Sequence, residues 1–249
     1  MTAGFTEDRL LGGRVLLRQP RLGLRAGLDA VLLAAGVPVR PGQRVLEAGC
    51  GSGAGFLCLA ARVPGLRIVA VERDPALAGL ARSNVAGNGF AGQVEVIEGD
   101  VRDRALARRL GPFDHGFANP PFWPGGTPPP DAHRHSMTHA AAADAATLAD
   151  WAGFLGAGLV KRGTLSLILP AARLDQGMAA LASAGCAGTL LLPFWPHAGV
   201  AAKRILLQGR RGSRGPARVA AGLVLHGPGE GFTPATEAVL RDAAGLQLS

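Results

Sequence analysis

From Arg44 onward, short apolar runs alternate with helical patterns. This alternation restricts the chain to an α/β fold whose parallel sheet is covered on both faces. Strands are expected at Arg44–Ala48, Arg67–Glu72, Val94–Glu98, Phe113–Ala118, Thr164–Leu169, Thr189–Leu192 and Arg204–Gln208. Helices are expected between them at Ala54–Val63, Pro75–Asn88, Arg104–Leu110, Leu148–Leu159 and Leu174–Ala184. Asp74 is placed to cap the second of these helices, with Pro75 at its first position. Residues 1–40 precede the pattern and read as an appendage, a hairpin around Arg14–Gln19 and then a helix beginning near Asp29. Residues 41–249 form the main domain.

Composition narrows the class. The chain has 249 residues, 48% hydrophobic and 18% charged, which excludes a disordered polymer and provides for a sizeable core. Glycine is abundant, but without a three-residue period, so collagen is excluded. Three cysteines with no C-x-x-C pair suit a reduced protein, and no metal site is expected. The first residues lack the basic start and apolar middle of a signal peptide. The stretch from Gln176 to Ala202 lacks Asp, Glu, Lys and Arg, but Gly and Pro interrupt it, so it reads as helix, turn and strand rather than a membrane span. A cytoplasmic location is expected, with no membrane association and no obligate protein partner evident.

The first strand runs into Glu47-Ala-Gly49-Cys-Gly51-Ser-Gly53. Glycines here permit a tight turn and let a ligand press against backbone. The pattern loosely satisfies a dinucleotide fingerprint, but Glu47 at the strand end would repel a pyrophosphate and suits a ligand bearing an ammonium group. That favours S-adenosylmethionine over NAD. Glu72 closes the second strand, where an acid can accept from ribose hydroxyls. Asp100, followed by Val101, closes the third and is placed to accept from an adenine amino group. Three acids at three successive strand ends around one glycine loop resemble a Rossmann-like class I methyltransferase, with a seven-stranded, mostly parallel sheet.

The fourth strand ends in Asn119-Pro120-Pro121-Phe122. A surface turn is the plain alternative, but the carboxyl ends of strands are where ligands bind in open α/β sheets. A planar exocyclic nitrogen is a poor nucleophile because its lone pair is delocalised. Two acceptors on its two N–H bonds hold it and localise density on nitrogen. Asn119 Oδ1 and the Pro120 carbonyl can be those acceptors. The prolines fix the backbone in advance, and Phe122 offers a stacking face.

The charge is uneven. The net is +8, and no acid occurs between Asp175 and Glu230, an interval holding Lys203, Arg204, Arg210, Arg211, Arg214 and Arg218. A solvated face is the bland reading. A run without counter-charges also suits a polyanion, with Lys203, Arg204, Arg210, Arg211 and Arg214 as RNA contacts in a basic C-terminal segment 203–218. His133, His135 and His139 fit no standard zinc spacing.

The tetrapeptide resembles the (Asn/Asp)-Pro-Pro-(Tyr/Phe) motif of amino-nitrogen methyltransferases. Leu11-Gly-Gly-Arg-Val, Arg25-Ala-Gly-Leu-Asp29, Lys203-Arg204-Ile-Leu-Leu and Arg211-Gly-Ser-Arg-Gly-Pro extend the likeness over almost the whole chain. Together they resemble the bacterial tRNA1(Val) adenine-37 N6-methyltransferase family. The resemblance implies S-adenosylmethionine as cofactor and tRNA as partner. It implies an N-terminal block lying over the cofactor, which makes Asp29 a further cofactor contact, a second role for Asn119 as a cofactor contact, and a catalytic role for Asn119, Pro120, Pro121 and Phe122. A glutamine-modifying protein methyltransferase would use the same tetrapeptide, behind a larger N-terminal domain. A non-catalytic RNA-binding scaffold is the rival of another class.

Overall fold

The seven expected strands lie in one sheet. A computed structural model of the chain describes residues 4–21, 25–121, 146–229 and 231–248. A hairpin of β1 (Phe5–Leu10) and β2 (Val15–Pro20) leads into α1 (Leu28–Gly36). Then follow β3 (Arg44–Ala48), α2 (Ala54–Arg62), β4 (Arg67–Glu72), α3 (Pro75–Gly87), β5 (Val94–Glu98), α4 (Arg104–Leu110) and β6 (Phe113–Ala118). After the undescribed stretch come α5 (Leu148–Gly158), β7 (Leu159–Pro170), α6 (Leu174–Ser183), β8 (Cys186–Trp195) and β9 (Arg204–Arg211). The short strands β10 (Arg218–Val219) and β11 (Leu223–Val224) precede α7 (Pro234–Arg241).

The strand order is β10-β8-β9-β7-β6-β3-β4-β5, with β11 also paired to β8. Strands β3 to β7 are mutually parallel, and β9 runs antiparallel between β7 and β8. The sheet therefore has two strands more than expected. β10 and β11 are two residues each, in a segment rich in Arg, Gly and Pro, and so short a strand leaves no periodic signature.

Side chains alternate between two apolar layers, as the pleat requires. Val45 and Ile68 join Phe56, Leu57 and Phe117 on one side of the sheet. Leu46 and Val69 join Trp151, Phe154 and Leu167 on the other. Several helices start where polar caps stand. Asp74 accepts from the Ala76 and Leu77 amides, and Thr147 and Asp150 form a reciprocal capping box.

The N-terminal segment is built into this body. Val31, Leu32, Leu33 and Ala34 of α1 belong to the first apolar layer. The outer edge of β2 would expose unpaired peptide groups, but Asn84 and Asn88, one turn apart on α3, take them. The Leu16 and Arg18 amides donate to Asn88 and Asn84 Oδ1 at 2.8 and 3.0 Å. The two Asn Nδ2 groups donate back to the Arg18 and Leu16 carbonyls at 2.8 and 2.7 Å. Two side-chain amides thus stand in for a neighbouring strand.

Candidate functional site

Strand order reverses at β3, whose neighbours are β6 and β4. The crevice beyond such a switch point is where open α/β sheets bind ligands. Ala48 pairs directly with Ala118. The glycine loop and the Asn119-Pro120 segment therefore leave two adjacent strands at the same level. Asn119 and Pro121 are exposed there, and Pro120 is buried. Phe122 and the His-rich stretch 123–140 lie outside the described residues.

Gly49, Gly51 and Gly53 have φ of 61°, 56° and 100°, a left-handed path that disfavours other residues. They differ in what surrounds them. A Cβ on Gly49 would meet the Trp151 ring at 2.2 Å, whereas one on Gly51 would meet nothing within 4 Å. The loop is thus braced from α5 at Gly49 and open at Gly51, the side where an adenosyl ligand has room to approach the backbone. Trp151 reads as an ordinary packing residue in the sequence, and its role as the brace emerges only from the fold.

Glu47 sits beneath the loop. Its Oε2 accepts from the Phe56 amide at 2.8 Å, in the first turn of α2, where the N-cap Gly53 has no side chain to offer. Gly55 makes room for it, since a Cβ there would meet Glu47 Oε1 at 2.2 Å. Burial pushes its carboxyl well above the usual range. Through Oε2 it acts as a helix cap supporting the loop, a second engagement beside the ligand-facing one expected from the sequence.

Glu72 ties the loop from the side. Its Oε2 accepts from the Gly51 amide at 2.8 Å, and its Oε1 accepts from the Arg73 and Asp74 amides at 2.8 and 2.9 Å. A carboxylate has about four lone-pair sites, so acceptor capacity remains for a ligand hydroxyl. Asp100 is more fully engaged. Arg102 donates to it through its backbone amide, Nε and Nη2, and this hydrogen bonding holds the Asp100 carboxyl below its usual range. A ligand amino group reaching Asp100 would have to compete with that guanidinium. Val101, next in line, is buried in the second apolar layer.

Two expected contacts meet each other instead of standing apart. Arg204 Nε donates to Asp29 Oδ2 at 2.9 Å, joining α1 to the start of β9. The remaining basic residues divide along the sheet. Arg204 pairs with Pro170, beyond Leu167, which is level with Ala118. Lys203 and Arg204 therefore lie at the ligand end. Arg210 pairs with Thr164, level with His115, and Arg211 with Cys186 at the start of β8. Arg210, Arg211 and the adjoining Arg214 lie toward the opposite end, and Arg211 is bonded to the Gly156 carbonyl. The antiparallel course of β9 separates residues that are neighbours in the sequence.

Asn84 links the hairpin to the loop, because its buried Nδ2 also donates to the Ser52 carbonyl at 2.8 Å. The sequence clue was Asn84 inside a helix, where asparagine is disfavoured, four residues before a second asparagine at the helix end. Among the described residues no group of three His, Cys, Asp or Glu is placed to hold a metal ion, and no helix is long and apolar enough to cross a membrane.

Comparisons place this geometry among known proteins. A family model described as "Methyltransferase domain" matches residues 45–126. The tRNA1(Val) (adenine(37)-N6)-methyltransferase of Actinobacillus succinogenes is 31% identical over 206 residues, 82% of each chain. The enzyme of that name from Aeromonas hydrophila is 32% identical over 193 residues, 77% of this chain and 79% of its own. A solved structure from Agrobacterium tumefaciens, titled a predicted O-methyltransferase, has a TM-score of 0.72 at 28% identity, covering 88% of this chain and 98% of its own.

Proposed function

The chain belongs to the family of tRNA1(Val) (adenine(37)-N6)-methyltransferases, and from that premise we infer that it methylates N6 of an adenine in the anticodon loop of a tRNA. Its methyl donor is S-adenosylmethionine. The observation that carries the mechanism is the Ala48–Ala118 pairing, which starts the glycine loop and Asn119-Pro120 from one level of the sheet.

When bound, S-adenosylmethionine supplies a methyl group already activated by its sulfonium. Gly49, Gly51 and Gly53 hold the adenosyl ligand against backbone, and Glu72 uses its remaining acceptor capacity on the ribose. Glu47 acts from below by fixing α2 and the loop. The N-terminal hairpin, tied to the glycine loop through Asn84, would cover this site, with Asp29 at its margin. Asp100 recognises the adenine ring once Arg102 gives way, and Val101 lines that side.

Asn119 Oδ1 and the Pro120 carbonyl accept the two N6 hydrogens of the target base. That orients the amino group and raises electron density on nitrogen without a metal or a covalent intermediate. Pro121 stiffens the turn, and Phe122 stacks the base. The anticodon loop is single-stranded, so the base can be splayed out at low cost. Lys203 and Arg204 meet the RNA backbone at the ligand end.

Single-turnover methylation of an anticodon stem-loop with adenine or purine at the target position tests this. Adenine should be methylated and purine, lacking the amino group, should not. Asn119→Ala should slow the adenine reaction by roughly 10²–10³-fold with cofactor affinity kept. Methylation of a release-factor glutamine with no reaction on RNA would install the protein-methyltransferase reading instead.

A further inference from the structure

A second feature lies at the ligand end of the sheet, away from the cleft. A cavity of about 560 Å³ opens beside Trp195, walled by Ala198, Gly199, Val200, Ala201 and Val224. Among the described residues no charged side chain lines it. Val200 is 44% exposed, so the apolar wall faces solvent. Trp195, the last residue of β8, is held in one orientation. Its Nε1 donates to the Ala221 carbonyl at 3.1 Å, and Gly222 packs so closely that a Cβ there would meet Nε1 at 2.6 Å.

The setting is unusual for this chain. Aromatic residues are only 5% of it, tyrosine is absent, and Phe56, Phe113, Phe117, Phe154 and Phe194 are fully buried. Among the described residues, a corner beside this cavity gathers Trp195, His197, His226 and Phe232. The His226 and Phe232 rings stack at 4.8 Å, and His197 lies 5.3 Å from His226. Near them stands one exposed cation, Lys203; its neighbour Arg204 pairs with Phe194 across β8 and β9 and is tied to Asp29.

An indole, an open apolar wall and a neighbouring cation are what a splayed nucleotide needs, for its base and its phosphate respectively. The location also fits. β8 is three strands from β6, roughly 14 Å at the usual strand spacing, and Trp195 ends a few residues further along the strand direction than Asn119. A short run of single-stranded RNA spans that separation.

We propose that Trp195 is a specificity-determining residue that stacks an unpaired base of the anticodon loop a few nucleotides from the target adenine, with Lys203 on that nucleotide's phosphate. This rests on the RNA-methyltransferase reading. The experiment uses the full chain and a set of anticodon stem-loops, each with one loop base removed. Steady-state kinetics are measured for wild type, Trp195→Ala, Trp195→Phe and Val200→Glu, with S-adenosylhomocysteine affinity as the control. In wild type, one abasic position besides the target should raise KM about 5- to 100-fold, the range for loss of one base stack. Trp195→Ala and Val200→Glu should raise KM similarly on the intact loop, and the abasic position should then add nothing. Trp195→Phe should keep most of the wild-type affinity, and cofactor affinity should not move. An unchanged KM in both Trp195→Ala and Val200→Glu, or an abasic penalty that persists undiminished in them, overturns the proposal. Failure of wild type to methylate the intact loop is a separate result, which overturns the RNA reading and this inference with it.

Discussion

The side-chain amide of Asn84 donates to the Ser52 carbonyl at 2.8 Å, so a helix on one side of the glycine loop holds the loop's own backbone. The same amide group bonds both the N–H and the C=O of Arg18 in the hairpin. One buried side chain thus joins three segments. Asn84→Ala leaves polar groups unsatisfied in the hairpin and in the loop, and a loss of about 1–3 kcal/mol is expected. Urea unfolding measures it. Affinity for S-adenosylhomocysteine should fall in parallel, and an unaltered calorimetric titration would show that the loop holds its shape without this tie.

Gly49 and Gly51 share a left-handed backbone but should respond differently to alanine. At Gly49 the new methyl collides with Trp151, adding overpacking of about 1–3 kcal/mol to the backbone strain. At Gly51 only the strain of about 1–2 kcal/mol applies, because space is open there. Gly49→Ala should therefore lower the melting temperature markedly. Gly51→Ala should stay folded and lose cofactor affinity, as a methyl would occupy the ligand's side of the loop. Equal stability losses would mean Trp151 yields freely.

His115 is buried between strands, with Nε2 3.0 Å from Gln43 Oε1 and Nδ1 2.6 Å from Thr164 Oγ1. An amide oxygen only accepts, so Nε2 carries the proton and Nδ1 accepts from Thr164. Burial depresses the imidazole from 6.5 to about 4. A depressed folded value means that the stabilisation is present above pH 6.5 and is lost as pH falls toward 4, by up to roughly 3 kcal/mol. Denaturation curves between pH 7 and 4 should show this loss in wild type and a flatter profile in His115→Gln. A profile that is steeper in the variant contradicts the assignment.

The division of the basic residues along β9 makes two charge reversals unequal. Lys203→Glu acts at the ligand end and should weaken tRNA binding and lower the slope of log K against log salt by about 0.7–0.9 per lost phosphate contact. Arg214→Glu, at the opposite end, should change both less. Nitrocellulose filter binding at several salt concentrations distinguishes them. A larger effect from Arg214 would place the RNA along the amino end of the strands.

The central strands, their helices and the Asn119 segment were legible in the sequence because they depend on local pattern. Val45 and Leu46 alternate faces, Asp74 and Pro75 mark a helix start, and glycines mark the loop. What could not be read depends on contacts distant in the chain. Asp29 and Arg204 are 175 positions apart, and their pairing needs the whole fold. Arg204 and Arg214 look like one basic patch until the direction of β9 is known. Glu47 stands at the expected strand end, but where its carboxylate points is decided by the first turn of α2.

Because Ala48 and Ala118 sit side by side in the sheet, the separation between the glycine loop and the Asn119 segment is gauged by backbone ladder bonds deep in the molecule. Flexible connections elsewhere do not set it. On the mechanism proposed above, peripheral parts such as the Trp195 corner could be exchanged to welcome different nucleic acids while the spacing of the two segments is inherited unchanged. Retargeting an enzyme of this build should accordingly begin at the rim and leave those two alanines alone.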